Sequence, residues 1–306
     1  MEDKKFDPRK FIDRTFEQDL FEDLLKFNDY SRVLAICDGG GMGKSQLLQK
    51  LQHRCLTVKP HTPVSLIALD QLPDNNPLKL IEKIADDLTN RFNVQFPNFE
   101  ELYSAQASGD FGLIRSSVFL QGADFRNSRD VRIASYQVNA DKVDNLTLES
   151  RVEKLTSEQQ EIANRVCIRA YFNDIKEYCA KDPDNKVVLM LDAYEKCQVE
   201  LKEWIVDYLL ARHFFDLDHR PTRLALVLAG RKVPEFEMKW ALEDIKAVVK
   251  SRQLGKWGKK DVEECLRAHG FIYEANHLEM FWTMIQSGMP PSLVVEGMHS
   301  ILRRQQ

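Results

Sequence analysis

A glycine-rich segment followed by a lysine and a serine carries the clearest chemical signal in this sequence of 306 residues. The segment DGGGMGKS at 38–45 lies between the apolar run at 32–37 and a helix-like stretch that begins at Ser45. Glycines let the backbone curl so that successive N–H groups and the helix N-terminus point at phosphate groups. In such a loop Lys44 reaches the β- and γ-phosphates, while Ser45 coordinates Mg²⁺. The pattern therefore predicts a phosphate-binding loop for a nucleotide with Mg²⁺.

The loop departs from the usual pattern at its first position. The consensus G-x-x-x-x-G-K-[ST] has glycine five residues before Gly43, where this chain has Asp38. A carboxylate about 6 Å from a phosphate charge, at an effective dielectric near 20, repels it by about 3 kcal/mol, roughly a hundredfold in affinity. Asp tolerates unusual backbone angles and Gly39 adds freedom, so we expect binding to survive. The residues expected to contact the nucleotide here are Gly39, Gly40, Gly41, Met42, Gly43, Lys44, Ser45 and Gln46.

Two acids follow a second apolar run, KVVLMLD at 186–192. Asp192 ends the run and Glu195 follows three residues later. An acid at the carboxyl end of a buried strand can hold Mg²⁺ beside a phosphate loop, and Glu195 could then orient an attacking water. The alternatives are a strand-end turn residue for Asp192 and a solvated helix charge for Glu195. We predict that Ser45 and Asp192 are the metal ligands.

An arginine ends a third apolar run, RLALVLAG at 223–230. Arg231 would face the nucleotide crevice if this strand belongs to the same sheet, and its planar guanidinium could pair with the γ-phosphate. The alternative is a surface arginine. The predicted catalytic residues are thus Lys44, Asp192, Glu195 and Arg231.

The elements that must position these residues alternate along the chain. Near-continuous apolar runs are typical of strands covered on both faces of a parallel sheet, and stripes at helical spacing lie between them. One stripe, over 16–27, consists of Phe16, Leu20, Leu24 and Phe27. Strands are predicted at 32–37, 63–70, 186–192 and 223–230, and helices at 16–27, from 45, at 77–92, at 156–180 and at 200–215.

Beyond about residue 250 the apolar strand-like runs largely stop, and the segments that follow have the apolar spacing of helices. We therefore predict an α/β fold: a P-loop NTPase parallel sheet flanked by helices, followed by a small C-terminal helical lid domain. The predicted divisions are 1–30 for an N-terminal segment and helix, 31–245 for the α/β domain with an insertion at about 93–150, and 246–306 for the lid.

Composition and net charge bear on whether the protein binds nucleic acid or a membrane. The formal net charge is −4, so no global field favours nucleic acid or an anionic membrane, and the basic stretch at 246–260 is followed at once by acids. The six cysteines are scattered without metal-ligand spacing, and no apolar run approaches the ~18 residues of a membrane span. We expect a cytoplasmic protein with reduced thiols, no membrane contact and no nucleic-acid partner.

The motifs together resemble the STAND class of P-loop ATPases, the signal-transduction branch related to AAA+ proteins that includes NACHT and NB-ARC modules. The loop GGGMGKS, the segment LMLDAYEK and the tripeptide AGR after LALVL are similar to its Walker A, Walker B and strand-end arginine. The segment at 11–14 resembles the class's adenine-lining segment, and Gly-Met-Pro at 288–290 resembles the G-x-P element of its lid. By this resemblance, which spans about 8–305, the base is contacted by Phe11, Ile12, Arg14 and Pro290.

The resemblance implies an ATP-binding and ATP-hydrolysing switch in signalling or defence, with ATP or ADP and Mg²⁺ between core and lid. It also implies a homo-oligomer in the ATP state and an effector or sensor protein as partner. ATP is expected over GTP, because no guanine-reading N-K-x-D element is apparent. Two alternatives stay open: a non-hydrolysing, nucleotide-loaded interaction module, and a DNA-stimulated AAA+-like ATPase.

Overall fold

The computed structural model describes residues 6–72, 76–108 and 157–302. Two compact units divide the chain, one formed by Met1–Gln95 with Ile175–Gln306 and the other by Phe96–Asp174. The predicted residues of the loop, the strand ends and the lid all lie in the first unit.

A five-stranded parallel sheet forms the centre of the first unit. Its order is β2-β3-β4-β1-β5, and every neighbouring pair is parallel. This confirms the predicted fold class. Because β4 lies between β1 and β3, the ends of β1 and β3 are about 10 Å apart at one edge of the sheet. The strands are β1 (Val33–Cys37), β2 (Val64–Ala68), β3 (Val187–Asp192), β4 (Leu224–Gly230) and β5 (Val249–Gln253).

Ten helices accompany the sheet in the described part of the chain. They are α1 (Thr15–Lys26), α2 (Lys44–Thr57), α3 (Pro77–Phe92), α4 (Pro97–Ser108), α5 (Ser157–Lys181), α6 (Val199–Trp204), α7 (Leu242–Val248), α8 (Lys259–Ala268), α9 (Ala275–Gln286) and α10 (Pro291–Leu302). A π-helical stretch, Ile205–Phe215, continues α6, and short 3-10 turns lie at Leu69–Gln71, Tyr194–Lys196 and Phe236–Met238.

The predicted apolar face of α1 is wrong at one residue, Phe16. Phe21 and Leu24 are fully buried against the sheet, while Leu20 and Phe27 pack at its margin. Phe16 is 53% exposed, and its ring lies under the Arg252 guanidinium at 4.5 Å. The helix is rotated so that Phe21 faces the core in its place, a choice that spacing alone left open.

The fifth strand corrects the predicted end of the sheet. β5 reads VKSRQ, only its first residue is buried, and it pairs with β1 alone. An edge strand needs no apolar alternation, so its sequence gave no strand signal. Residues 249–253 thus belong to the sheet although they lie in the range 246–306, and the helical part begins at α8.

The last three helices enclose an apolar core of their own. Fully buried side chains from each helix meet there, together with two residues from earlier in the chain. The buried members are Ile12, Trp257, Val262, Cys265, Leu266, Phe281, Ile285, Val294, Met298 and Leu302. A small C-terminal helical bundle is therefore present, as the sequence predicts.

The second unit contains α4 and most of α5. Asp174 accepts hydrogen bonds from the Asn98 side chain at 2.6 Å and from the Phe99 N–H at 2.9 Å. The Phe96 and Tyr171 rings stack at 4.9 Å. The predicted insertion at 93–150 includes α4, but its remaining part from 109 onward and the predicted helix start at 156 lie outside the described residues.

Candidate phosphate-binding site

The glycine-rich loop joins β1 to α2 at the carboxyl edge of the sheet. Gly43 caps the N-terminus of α2 with φ 89°, and Gly41 has φ 74°. Residues with a Cβ adopt this left-handed region at a cost of roughly 1–2 kcal/mol. Glycine at these two positions therefore lets the chain turn directly from strand into helix.

Lys44 is the most enclosed polar group of the loop. Its side chain is 9% exposed, and Nζ donates to the carbonyl oxygens of Asp38 and Gly39, both at 2.7 Å. Burial lowers the pKa of Lys44 from its ordinary value, while the Glu195, Asp38 and Asp192 carboxylates act in the opposite direction. The structure thus brings three carboxylates within electrostatic range of this ammonium group, two of them from the end of β3.

The end of β3 places the two predicted acids. Asp192 Oδ1 accepts the N–H of Ala193 at 2.8 Å, and Ala193 turns the chain with φ 58°. The 3-10 turn that follows carries Glu195, whose Oε2 accepts the backbone N–H of Arg231 at 2.9 Å. A turn at the strand end therefore directs Glu195 toward the neighbouring strand β4.

Arg231 follows β4 and lies between the loop and Glu195. Its Nε is 3.6 Å from Glu195 Oε1, and a Cβ placed on Gly40 would lie 3.1 Å from its Nη2. A Cβ on Gly230 would lie 2.8 Å from Glu195 Oε2. The guanidinium, 62% exposed, therefore reaches across the sheet edge to the phosphate loop, where a phosphate could engage it.

The first turn of α10 contacts the tip of the loop. The N–H of Ser292 donates to the carbonyl oxygen of Gly41 at 3.1 Å. A Cβ on Gly41 would lie 2.4 Å from Ser292 Oγ and 2.9 Å from Pro290 Cβ. Pro290 thus lies beside the tip of the loop, and its contact with a base stays a prediction. Ser292 gave no sequence signal beyond a hydroxyl in a helix's first turn.

The N-terminal segment connects the loop to the lid. Arg14 is buried with φ 68°, and its guanidinium donates to the carbonyl oxygens of Gly255 at 2.8 Å and Met42 at 3.3 Å. Phe11 packs at the margin of the sheet core, and Ile12 is buried in the lid core. The segment therefore contacts both the sheet core and the lid core, and the contact of these residues with a base stays a prediction.

A cavity of about 460 Å³ opens between the loop and the lid. Ligand pockets commonly measure about 300–1,000 Å³, so the space suits a nucleoside. Trp257 forms one wall and is only 9% exposed. The lining residues are Asp38, Met42, Arg252, Gln253, Leu254, Gly255, Lys256, Trp257, Ile285, Gly288, Met289 and Pro291.

The donor set suits a Mg²⁺ ion held jointly with phosphate. Ser45 is exposed in the first turn of α2, and among the described residues Asp192 Oδ2 has no hydrogen-bond partner. Gln46 is also exposed there. No group of three or more His, Cys, Asp or Glu that could hold a metal occurs within 6–72, 76–108 and 157–302. A hydroxyl and one carboxylate match the few protein ligands that Mg²⁺ takes beside phosphates.

No protein-family profile matches the chain, and no curated protein matches it by sequence. Among solved structures, Drosophila ORC bound to poly(dA/dT) DNA and Cdc6 is 11% identical over 95% of this chain and 37% of that chain, with a TM-score of 0.47. Drosophila ORC bound to GC-rich DNA and Cdc6 is 12% identical over 95% and 37%, with a TM-score of 0.45. Aeropyrum pernix ORC2 protein in its ADP form is 10% identical over 92% and 59%, with a TM-score of 0.45. The chain spans 37% to 59% of their lengths, and the similarity is too low to define its family.

The expectations about partners and compartment stay predictions. Within the described ranges no helix has the length and apolar character needed to cross a membrane. Nothing in the site geometry favours or opposes nucleic acid. The expected absence of a nucleic-acid partner and the DNA-stimulated alternative therefore both await experiment.

Proposed function

We propose that this chain binds ATP with Mg²⁺ between its phosphate loop and its C-terminal helices, and that it hydrolyses ATP slowly. The observation that supports this most directly is the environment of Lys44. Its ammonium group is held over the loop by two carbonyl oxygens, with Asp192 and Glu195 in electrostatic range. A desolvated cation at a helix N-terminus is suited to bind a polyanion.

We assign the remaining residues roles according to where they lie. Ser45 and Asp192 would hold Mg²⁺, which supplies charge neutralisation at the phosphates. Arg231 lies against the loop and would bind the terminal phosphate, while Glu195 is the candidate for orienting an attacking water. Phe11, Ile12, Arg14 and Pro290 do not line the cavity themselves, but Arg14 donates hydrogen bonds to Gly255 and Met42, which do. We propose that these four residues bound the base.

Nucleotide carried through purification tests binding directly. The freshly purified protein is denatured and any released nucleotide is identified by chromatography. We expect ATP or ADP in the wild type and none in Lys44→Ala, because the variant loses the buried cation. The matched control is Lys83→Ala, at an exposed lysine of α3, a helix that packs against β2. Equal nucleotide content and equal affinity in Lys44→Ala and wild type would refute the site.

A second candidate function is a nucleotide-loaded module without hydrolysis. It is favoured by the engagement of Glu195, whose carboxylate accepts the Arg231 N–H and lies beside the Arg231 guanidinium. Glu195→Gln separates the two functions. Slower hydrolysis with retained ATP affinity supports the enzyme, whereas an unchanged, negligible rate supports the module.

We further propose, from the resemblance to STAND proteins, that the site works as a signalling switch with ATP and ADP states. The direct contact of α10 with Gly41 supports this proposal. A ligand bound in the loop would change this contact and with it the position of the lid. Light scattering with Mg·ATP and with Mg·ADP tests the expected ATP-dependent homo-oligomer. A single mass in both conditions would contradict a switch that acts by oligomerisation.

A further inference from the structure

The side chain of Asp38 accepts a hydrogen bond from a backbone N–H of the loop. Its Oδ1 accepts the backbone N–H of Gly39 at 2.6 Å. The successive N–H groups of such a loop are what bind phosphate oxygens. In this structure a carboxylate of the chain itself therefore already engages one N–H of the loop.

The backbone of Asp38 is anchored, so the carboxylate cannot simply swing out with the chain. Its N–H donates to the carbonyl oxygen of Gly230 at 3.3 Å, and its carbonyl oxygen accepts Lys44 Nζ at 2.7 Å. Asp38 also lines the cavity between loop and lid. Because Asp38 is itself part of the loop, its charge lies beside the phosphate-binding segment.

The charge also acts on the cation that binds phosphate. Asp38 is one of three carboxylates that influence Lys44, together with Glu195 and Asp192. Asp192 would be neutralised by Mg²⁺, and Glu195 lies beside Arg231. Asp38 has no cationic side chain within salt-bridge distance among the described residues, so its repulsion of an incoming phosphate is the least compensated of the three.

We propose that the Asp38 carboxylate is a built-in competitor of the nucleotide phosphates, which lowers affinity and favours release of nucleotide. This rests on the proposed function. The competition has two parts, occupation of the Gly39 N–H and charge repulsion. Asp38→Asn keeps an acceptor at Oδ1 and removes the charge, whereas Asp38→Gly removes both and restores the residue usual at this position.

The test is calorimetric titration of ATP and ADP into the full chain, each with Mg²⁺ and with EDTA. We expect Asp38→Asn to bind about tenfold to a hundredfold more tightly than wild type, from the Coulomb term. The gain should be greater for ATP than for ADP, and greater in EDTA than with Mg²⁺, because repulsion scales with the charge of the ligand. Asp38→Gly should gain at least as much. The control is Asp19→Asn, at an exposed acid of α1.

The outcomes separate this proposal from the proposed function. If wild type binds ATP, Lys44→Ala does not, and Asp38→Asn binds no more tightly than wild type, the competitor role is refuted while the site stands. A gain that is equal for ATP and ADP, with and without Mg²⁺, also refutes it, since charge would not be the cause. If wild type, Asp38→Asn and Asp38→Gly all fail to bind while their thermal unfolding is normal, both proposals fall.

Discussion

At the scale of single residues, the site is organised by close approaches to glycine. Glu195 Oε2 comes within hydrogen-bond distance of the Arg231 N–H because Gly230 has no side chain there. In the same way, the Arg231 guanidinium can lie beside Gly40 because Gly40 has no side chain. Gly230 at the end of β4 and Gly40 in the loop after β1 therefore allow an acid, a cation and the loop to lie close together.

Gly230→Ala should disconnect Glu195 from Arg231. The added Cβ would lie 2.8 Å from Glu195 Oε2 and 2.6 Å from the carbonyl oxygen of Lys232, so the acid or the backbone must shift. We expect hydrolysis to fall by about tenfold or more, since misplacing a group by ~1 Å can cost a hundredfold, with ATP affinity changed much less. Steady-state turnover and calorimetry measure the two.

Gly255→Ala is the control for this change. Gly255 lies beside the cavity, yet a Cβ there meets nothing within 4 Å. Loss of ATP affinity equal to the loss of turnover in Gly230→Ala would contradict the assigned role, because it would indicate collapse of the site as a whole.

At the scale of elements, the first turn of α10 rests on the loop between β1 and α2. One backbone hydrogen bond, Ser292 N–H to Gly41 O, joins them at 3.1 Å. Arg14 adds two hydrogen bonds, one to the loop and one to the segment after β5. Lid and loop therefore share contacts that a bound nucleotide would have to accommodate.

Gly41→Ala should open this junction. The new Cβ would lie 2.4 Å from Ser292 Oγ and 2.9 Å from Pro290 Cβ, in addition to the cost of φ 74°. We expect faster release of ADP, by about tenfold, measured by stopped-flow dilution. Gly270→Ala is matched for backbone strain, with φ 70°, but its Cβ meets nothing within 4 Å. Equal release rates in the two variants would show that strain, not the lid contact, controls release.

At the scale of the whole molecule, the fold buries a titratable group away from the site. His213 is 4% exposed in the π-helical stretch, and its ring contacts the Tyr208 ring at 5.5 Å. Burial lowers the pKa of His213 from 6.5 to about 3. The folded state therefore excludes a proton that the unfolded chain takes up below pH 6.5.

Stability should consequently fall as the pH drops through 6.5. The slope approaches about 1.4 kcal/mol per pH unit for one proton, so between pH 7 and 5.5 this residue costs about 1 kcal/mol. Between pH 7 and 5.5 the free energy of unfolding of His213→Phe should fall by about 1 kcal/mol less than that of the wild type, as measured by urea unfolding. His61→Phe, at an exposed histidine, should retain the wild-type slope. Identical slopes in all three proteins would contradict the burial of a neutral His213.

Features that depend on neighbouring residues could be predicted from the amino-acid sequence. The helix Pro77–Phe92 and the apolar strands that became β1, β3 and β4 follow from runs and stripes of apolar residues. The glycine loop at 38–45 follows from backbone freedom that few other residues have. Each of these signals lies within a dozen or so consecutive residues, so it could be interpreted before any tertiary contact was known.

Features that depend on residues distant in the chain could not be predicted in this way. The place of β4 between β1 and β3, the polar edge strand β5, the exposure of Phe16 and the contact of Ser292 with Gly41 leave no local pattern. They arise from which surfaces are buried against one another, and burial is a property of the assembled core. The residues of the candidate site could therefore be proposed one by one from the sequence, whereas the hydrogen bond between Glu195 and Arg231 became visible only when the chain had brought the two residues together.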